Sequence, residues 1–412
     1  GGNDDAKMFQ SNDTLTYIEL NTELAGGVAT ANTNILGLFV VGVDAEADTD
    51  DTGSTIDVGG GCQCGKGKKA EKGCSTGNGT PIGLLLTLPL LIAARRRPQD
   101  GMAELVVSMG LRRGGRVGAP VVPALVAVET DTGQVVRTLW DDPDPRVTPR
   151  TGHDEFTGAA LVGDILWQCT RTEVLRIDLR RWRVVWRFSH PLFFDLHSVD
   201  PRPDGGFAVT ATGHESVLVF DSSGALQAHH WLRGDLSGFA EAYGGVSDFR
   251  VVDYNAFKPH SHHPNFSFYR EGVLWATRLE GGKCVPIGAD ETPLVLGSSA
   301  HDGRLIEGQR WFTTVDGQVI AVDAADHRVV EAYDLRNAWP GSVPGWCRGV
   351  EVDERYVWVG YSILRRSRRA EWVRSVVTGG QTKCPTRLVG VDRATGEVAK
   401  EIEVGNAAGG TV

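Results

Sequence analysis

Four histidines stand at one phase of a repeat: His153, His197, His263 and His301, with Arg348 in the matching place of the last copy. Neutral imidazoles that meet about 2.0–2.1 Å from one point bind a transition metal. Asp154, Asp200, Asn265 and Asp302 follow these histidines within three residues and could orient the rings. Arg348 could grip a carboxylate or phosphate through two parallel N–H bonds. A metal held there would activate water or dioxygen, as in a hydrolase, lyase or oxygenase. Without a metal, Arg348, Asp154, Asn265 and Asp302 would instead line a binding site for a small molecule or protein partner. Polar residues at strand starts also cap exposed backbone, and that plain role competes with both readings.

Other chemistry is sparse. His260-Ser-His-His adds imidazoles, but His260 and His262 would alternate with His263 across the strand faces. His190, His214, His229, His230 and His327 fall in hairpins or outer strands and are expected at the surface. Cys347 beside Arg348 could be an activated thiol, because a neighbouring cation lowers its pKa. No nucleophile elbow, phosphate-binding glycine loop or HExxH motif occurs. With no complete catalytic set in view, the binding reading is favoured.

The elements that must position these residues repeat along the chain. Residues 125–136, 174–185, 217–226, 319–330 and 388–399 each read as an apolar strand, an acidic turn and a second strand. Alternating β-branched residues broken by Asp, Thr and Gly form hairpins. Upstream of each lies a polar residue, a short strand, a turn and a strand carrying an aromatic or β-branched residue. The pair makes four strands, one blade of a β-propeller, at a period of roughly 40–60 residues. The fold class is therefore all-β, with six four-stranded blades starting near Ala103, His153, His197, His263, His301 and Arg348. Each blade start should then bring its polar residue to the central channel. Trp167, Trp275 and Trp358 hold equivalent places and are expected to pack between blades. Asp235 to Lys258 reads as a long crossing loop, and the fourth hairpin is degenerate.

The chain has 412 residues and a formal charge of −10. Residues 1–61 carry eleven acidic groups and one Lys, and strand-like stretches begin at Leu15 and Ile35. They read as an acidic β-rich fragment of a secreted-type domain. Residues 62–101 read as a Cys/Gly linker, a short apolar membrane-type segment at 82–94 and an Arg cluster. Residues 102–412 hold the propeller. Nucleic-acid binding is not expected, since no basic face is available for phosphates. The basic run Arg365-Arg-Ser-Arg-Arg reads as a solvated loop or an anion or partner contact. Seven cysteines at scattered spacing suit buried thiols better than a disulfide framework.

Cys74-Ser-Thr-Gly-Asn-Gly-Thr-Pro, the apolar run 82–94 and Arg95-Arg-Arg together resemble the C-terminal sorting signals of myxobacterial surface proteins. That resemblance implies processing or anchoring at Cys74 and membrane association through residues 82–94. It implies a membrane or cell-surface location if residues 62–97 act as such a signal. Met102 could instead start a separate, cytoplasmic propeller, with two neighbouring reading frames joined in one chain. The blade pattern, as in Val391-Asp-Arg-Ala-Thr-Gly-Glu-Val, resembles quinoprotein-like and six-bladed propellers, including the gluconolactonase and paraoxonase group. That group uses acidic and Asn metal ligands, where this chain offers mostly His. Gly345-Trp-Cys-Arg-Gly-Val, Val359-Gly-Tyr-Ser and His263-Pro-Asn also resemble a group of uncharacterised bacterial propellers.

If the histidine ring is a metal site, elemental analysis of the purified protein will find near-stoichiometric transition metal. A variant with His153, His197, His263 and His301 changed to Ala will have lost it. Absence of metal from both proteins turns the ring into a ligand- or partner-binding surface.

Overall fold

The computed structural model describes residues 9–11, 14–18, 35–38, 93–96, 103–112, 121–148, 154–253, 255–279, 281–362 and 382–404. Six antiparallel sheets follow one another along the chain, each a propeller blade. Blade 2 comprises Ala159–Val162, Ile165–Cys169, Val174–Asp178 and Arg183–Ser189. Blade 3 comprises Leu196–Pro201, Phe207–Ala211, Ser216–Phe220 and Leu226–Trp231. Blade 4 comprises Ser267–Arg270, Val273–Arg278, Lys283–Ile287 and Leu294–Val295. Its outer strand is only two residues long, which is the degenerate hairpin expected from sequence. Blade 5 comprises Ala300–Ile306, Gln309–Thr314, Gln318–Asp323 and Val329–Asp334. Blade 6 comprises Trp346–Val352, Tyr356–Ser362, Arg387–Asp392 and Val398–Glu403.

Blade 1 starts earlier than the pattern suggested. Ala93–Arg96 pairs with Ala103–Arg112, which pairs with Val121–Glu129 and then Val135–Trp140. Ile35–Leu38 adds a fifth strand beside Ala93–Arg96 and lies near the inner strands of blades 2, 5 and 6. Thr14–Ile18 pairs with the outer strand of blade 2, and Phe9–Ser11 pairs beyond it. The last two residues of the apolar run 82–94 are thus paired in a strand. The rest of the run, and Cys74, lie outside the described residues. Among the described residues, no helix is long and apolar enough to cross a membrane.

The repeat has a local physical cause. In blades 2, 3, 5 and 6 the hairpin between third and fourth strands turns on an Asp side chain that accepts backbone N–H groups. Asp178 Oδ1 takes the amides of Arg180 and Arg181 at 2.8 and 3.0 Å. Asp221, Asp323 and Asp392 do the same for Ser223, Ala325 and Ala394 at 2.9, 2.8 and 3.0 Å. Such Asx turns replace the missing ladder bonds. Each turn then needs one left-handed residue, supplied by Trp182, Gly224, His327 or Gly396 at φ of 55°, 85°, 61° or 73°.

Apolar residues of adjacent blades interdigitate. Trp275 and Cys284 of blade 4 meet Phe312 and Val322 of blade 5, and Trp167 of blade 2 meets Phe207 of blade 3. Trp311, Trp358, Leu105 and Leu166 belong to one cluster spanning blades 5, 6, 1 and 2, which closes the ring. At the rim of the closure, Lys400 Nζ reaches Asp131 at 2.9 Å. Trp167, Trp275 and Trp358 are buried packing residues, as expected.

The core and the rim closure should differ in weight. Trp358→Ala is expected to cost about 3–5 kcal/mol, and Lys400→Ala no more than about 1 kcal/mol. Urea denaturation of both variants checks the order.

Candidate functional site

Inner strands all run away from the same face, so every blade start opens on that face. The turns between second and third strands lie on it too. Blade starts supply His197, His263, His301 and Arg348, and those turns supply Arg171 and Glu215.

Three of the four histidines converge. The ring of His197 lies 6.1 Å from that of His263 and 6.0 Å from that of His301, centroid to centroid. Blades 3 and 5 are not neighbours, so the approach of His197 to His301 crosses the channel axis. All three rings are buried. His153 lies outside the described residues. His260 joins the group, 5.0 Å from His263. Strand alternation had separated these two, but His263 sits at φ 46° and breaks it. His262 turns aside instead, with Nδ1 3.7 Å from Glu215.

Hydrogen bonds assign the tautomers. His197 Nδ1 lies 2.9 Å from the Asp195 carbonyl, an acceptor, so Nδ1 carries the proton and Nε2 the lone pair. His301 Nδ1 lies 3.0 Å from Asp302 Oδ1 and is protonated for the same reason. Asp302 Oδ2 accepts the Gly349 amide at 3.0 Å, which fixes the carboxylate against blade 6. Burial pushes the pKa of His301 down, the Asp302 carboxylate works against this, and Arg348 and His197 add to it. The ring is therefore neutral, with Nε2 as an acceptor.

Behind His197 stands a buried ion triad. Arg171 donates to Glu155 Oε1 at 2.5 Å and to Asp195 Oδ1 at 2.6 Å, and all three side chains are wholly buried. Asp154 Oδ1 accepts the amides of Glu155 and Arg171 at 2.9 and 3.2 Å. Burial raises its pKa to about 7 against these bonds. Glu215 accepts the amides of His262 and His263, the latter at 3.1 Å, and so anchors the start of blade 4. Thr212 Oγ1 adds a bond to the Pro264 carbonyl at 2.5 Å. Arg348 is buried, its guanidinium 4.5 Å above the Trp346 ring.

Asn265 stands out. The residue is 1% exposed, and neither carboxamide atom has a hydrogen-bond partner among the described residues. Asp154 Oδ2 and Asp195 Oδ2 are also buried without a partner among the described residues. Among the described residues, no group of three or more His, Cys, Asp or Glu side chains is placed to hold a metal ion.

Several sequence expectations need correction. His214 is buried, not exposed; residues 235–253 fold over it through Phe239, Tyr243 and Phe249. Desolvation drives its pKa down to about 3. Cys347 is no activated thiol, since burial pushes it up to about 12 despite the adjacent Arg348. Asp200 sits at the far end of its strand, where its charge faces Arg310, and so does not orient His197. Among the described residues, Asp302 alone of the expected orienting residues is bonded to its histidine, and the histidine beside Asp154 lies outside them. Glu155, Arg171, Asp195 and Glu215 carried no sequence signal of their role.

A groove of about 1010 Å³ lies on the opposite face, between the outer hairpins of blades 5 and 6. Its charges are already paired, Arg393 with Glu331 at 2.6 Å and Arg355 with Asp392 at 3.2 Å. The channel mouth, with its unpaired buried atoms, is the better candidate.

Fold and site together define a six-bladed propeller with a polar, histidine-lined channel mouth. No family model matches the chain, and no curated protein matches it. A solved protein of unknown function from Bacteroides caccae aligns at 13% identity and TM-score 0.47, over 69% of this chain and 92% of that one. A streptogramin B lyase aligns at 14% identity and TM-score 0.37, over 61% of this chain and 70% of that one. A catalytically inactive virginiamycin B lyase from Staphylococcus aureus, crystallised with quinupristin, aligns at 10% identity and TM-score 0.36, over 64% and 89%. Likenesses this distant assign no residue and no activity to this chain.

The Arg171 triad should be indispensable to the mouth. Arg171→Met strands two buried carboxylates and is expected to cost about 3–5 kcal/mol in urea denaturation. A loss below about 1 kcal/mol would mean that water reaches the carboxylates.

Proposed function

We propose that this chain is a binding propeller whose ligand, a small polar molecule, sits at the channel mouth among His197, His263, Asn265, His301, Asp302 and Arg348. The observation that carries this reading is the buried Asn265 carboxamide, neither of whose polar atoms is paired among the described residues. Leaving a buried polar group unsatisfied costs about 1–3 kcal/mol, and native proteins rarely leave one without a reason. Its setting supplies the reason. Rings from three blades meet at the axis, His263 two residues before Asn265, and hydrogen bonds orient those of His197 and His301.

The metal-dependent alternative fits less well. The imidazoles present Nε2 lone pairs, which suits coordination, but the described side chains do not gather into a ligand set. No chemical step is therefore routed through a metal.

A thermal-shift screen of polar fragments on the full chain tests the reading. A fragment at one hundred times its Kd adds about 2.7 kcal/mol to stability. Fragments that raise the wild-type midpoint are expected to lose that effect in Asn265→Leu. If no fragment distinguishes the two proteins, the channel mouth is not a binding site.

A further inference from the structure

We propose that residues 235–253 form an acid-released strap, which closes over blade 3 while the histidines beneath it are neutral and lifts when they take up protons. The device stands apart from the binding reading above.

The strap is built to present aromatic rings. A 3-10 turn at Leu236–Gly238 runs into one helical turn at Phe239–Ala242, and a second 3-10 turn follows at Phe249–Val251. Asp235 and Asp248 cap the two 3-10 turns, accepting the amides of Ser237 and Arg250 at 2.7 and 3.1 Å. Phe239, Tyr243 and Phe249 pack with Phe194 into one apolar cluster. Tyr243 Oη donates to the His214 carbonyl at 3.0 Å, and the Phe249 amide to the Pro191 carbonyl at 2.8 Å. The chain beyond is anchored separately, by Glu215 on the amides of His262 and His263 and by Thr212 on the Pro264 carbonyl. Residues 235–253 can therefore lift while the start of blade 4 stays in place.

Two imidazoles lie under these rings. The His214 ring is 4.9 Å from Phe249, 5.3 Å from Phe239 and 6.1 Å from Tyr243, centroid to centroid. His229, on the outer strand of blade 3, lies 4.7 Å from Phe239 and 5.9 Å from His214. The strap shuts water away from both, and two imidazolium ions this close repel. Burial drives the pKa of His214 down to about 3, against its bond to the Leu192 carbonyl, and that of His229 down to about 4. An aromatic face attracts a cation, but burial outweighs that attraction here.

The neighbouring charges act in the same direction or stay constant. His190 and His230 oppose a proton on His229, and His260 opposes one on His214. Arg233 stands beside Tyr243, with Nε 3.6 Å from Glu215. On the strap, Asp248 faces His190 and pairs with Arg250 at 2.7 Å. Burial opposes the Asp248 charge, but Arg250 holds its carboxyl below the usual range, so it stays ionised while the imidazoles titrate. Asp235, Glu241 and Asp253 are exposed.

Lifting the strap returns both imidazoles to water and to the ordinary value of 6.5. Below that pH the closed form binds fewer protons than the open one. The closed form is thus favoured fully above pH 6.5 and loses ground as the pH falls. Opening grows by roughly tenfold per histidine for each pH unit, until the closed-state values are reached.

Hydrogen–deuterium exchange on the full chain, corrected for intrinsic rates and read by mass spectrometry at pH 7, 6 and 5, tests the strap. Peptides from Gln318–Asp323 in blade 5 serve as the reference. The variants are His214→Gln, His229→Gln and the double, since Gln keeps an N–H donor without titrating in this range. Protection of 235–253 in wild type is expected to fall about fifty-fold between pH 6 and 5, and about sevenfold in either single variant. In the double variant it should stay level, and the reference strand should not change in any protein. Level protection in wild type overturns the proposal. An equal fall in the reference strand also does so, because the whole propeller is then opening. Single variants that keep the full wild-type fall assign the protons to other groups and overturn it as well. If the double variant has lost its blade protection at pH 7, the two single variants decide.

Discussion

The channel mouth depends on one buried guanidinium. Arg171 cannot shed its proton at any relevant pH, so its burial requires carboxylates, and it has one on each side. Glu155 comes from the start of blade 2 and Asp195 from the start of blade 3. The pairing therefore sets the distance between two blades as well as neutralising charge. It also holds Asp195 at φ 50°, an uncommon conformation for a residue with a side chain. In that conformation the Asp195 carbonyl meets His197 Nδ1 and the Thr212 amide. Ion pair, backbone strain and imidazole orientation are links in one chain.

The two faces of the propeller divide the work. On one face, short Asp-capped turns close the hairpins and hold no unusual chemistry. On the other, connections between blades are longer and carry the polar residues. The longest, 232–266, folds its aromatic residues onto blade 3 and around His214, then delivers His260 and His263 to the axis. Between the faces, apolar contacts hold the ring of blades. A cluster shared by blades 5, 6, 1 and 2 means that ring closure does not hinge on one strand or one salt bridge.

The blades were legible because their signals are local. Strand alternation and the Asx turn act within a few residues, so Asp178, Asp221, Asp323 and Asp392 mark hairpins wherever they occur. The phase of the histidines was legible because inner strands of all blades start on one face. That phase placed His197, His263 and His301 together correctly. The rest of the site depends on contacts between blades, which leave no spacing in the sequence. Arg171 and Glu215 come from turns between second and third strands, and nothing in those turns announces that they reach another blade. His214 looked exposed because its cover comes from a separate segment. Cys347 looked reactive because the neighbouring cation is visible in sequence and the burial that outweighs it is not.

Stability and the proposed binding pull against each other at this mouth. Each unpaired buried polar atom weakens the unliganded fold by about 1–3 kcal/mol, and Asn265, Asp154 and Asp195 all contribute. A small domain with a single core would tolerate few such losses against a total stability of about 5–15 kcal/mol. A propeller can tolerate more, because separate cores between blades each add their own burial of Trp and Phe. The mouth is also rigid. The His197 and His301 rings are fixed by a carbonyl and a carboxylate, so the proposed ligand would not need to order them on arrival. Preorganised polar groups of this kind would reduce the cost of ordering for the proposed ligand.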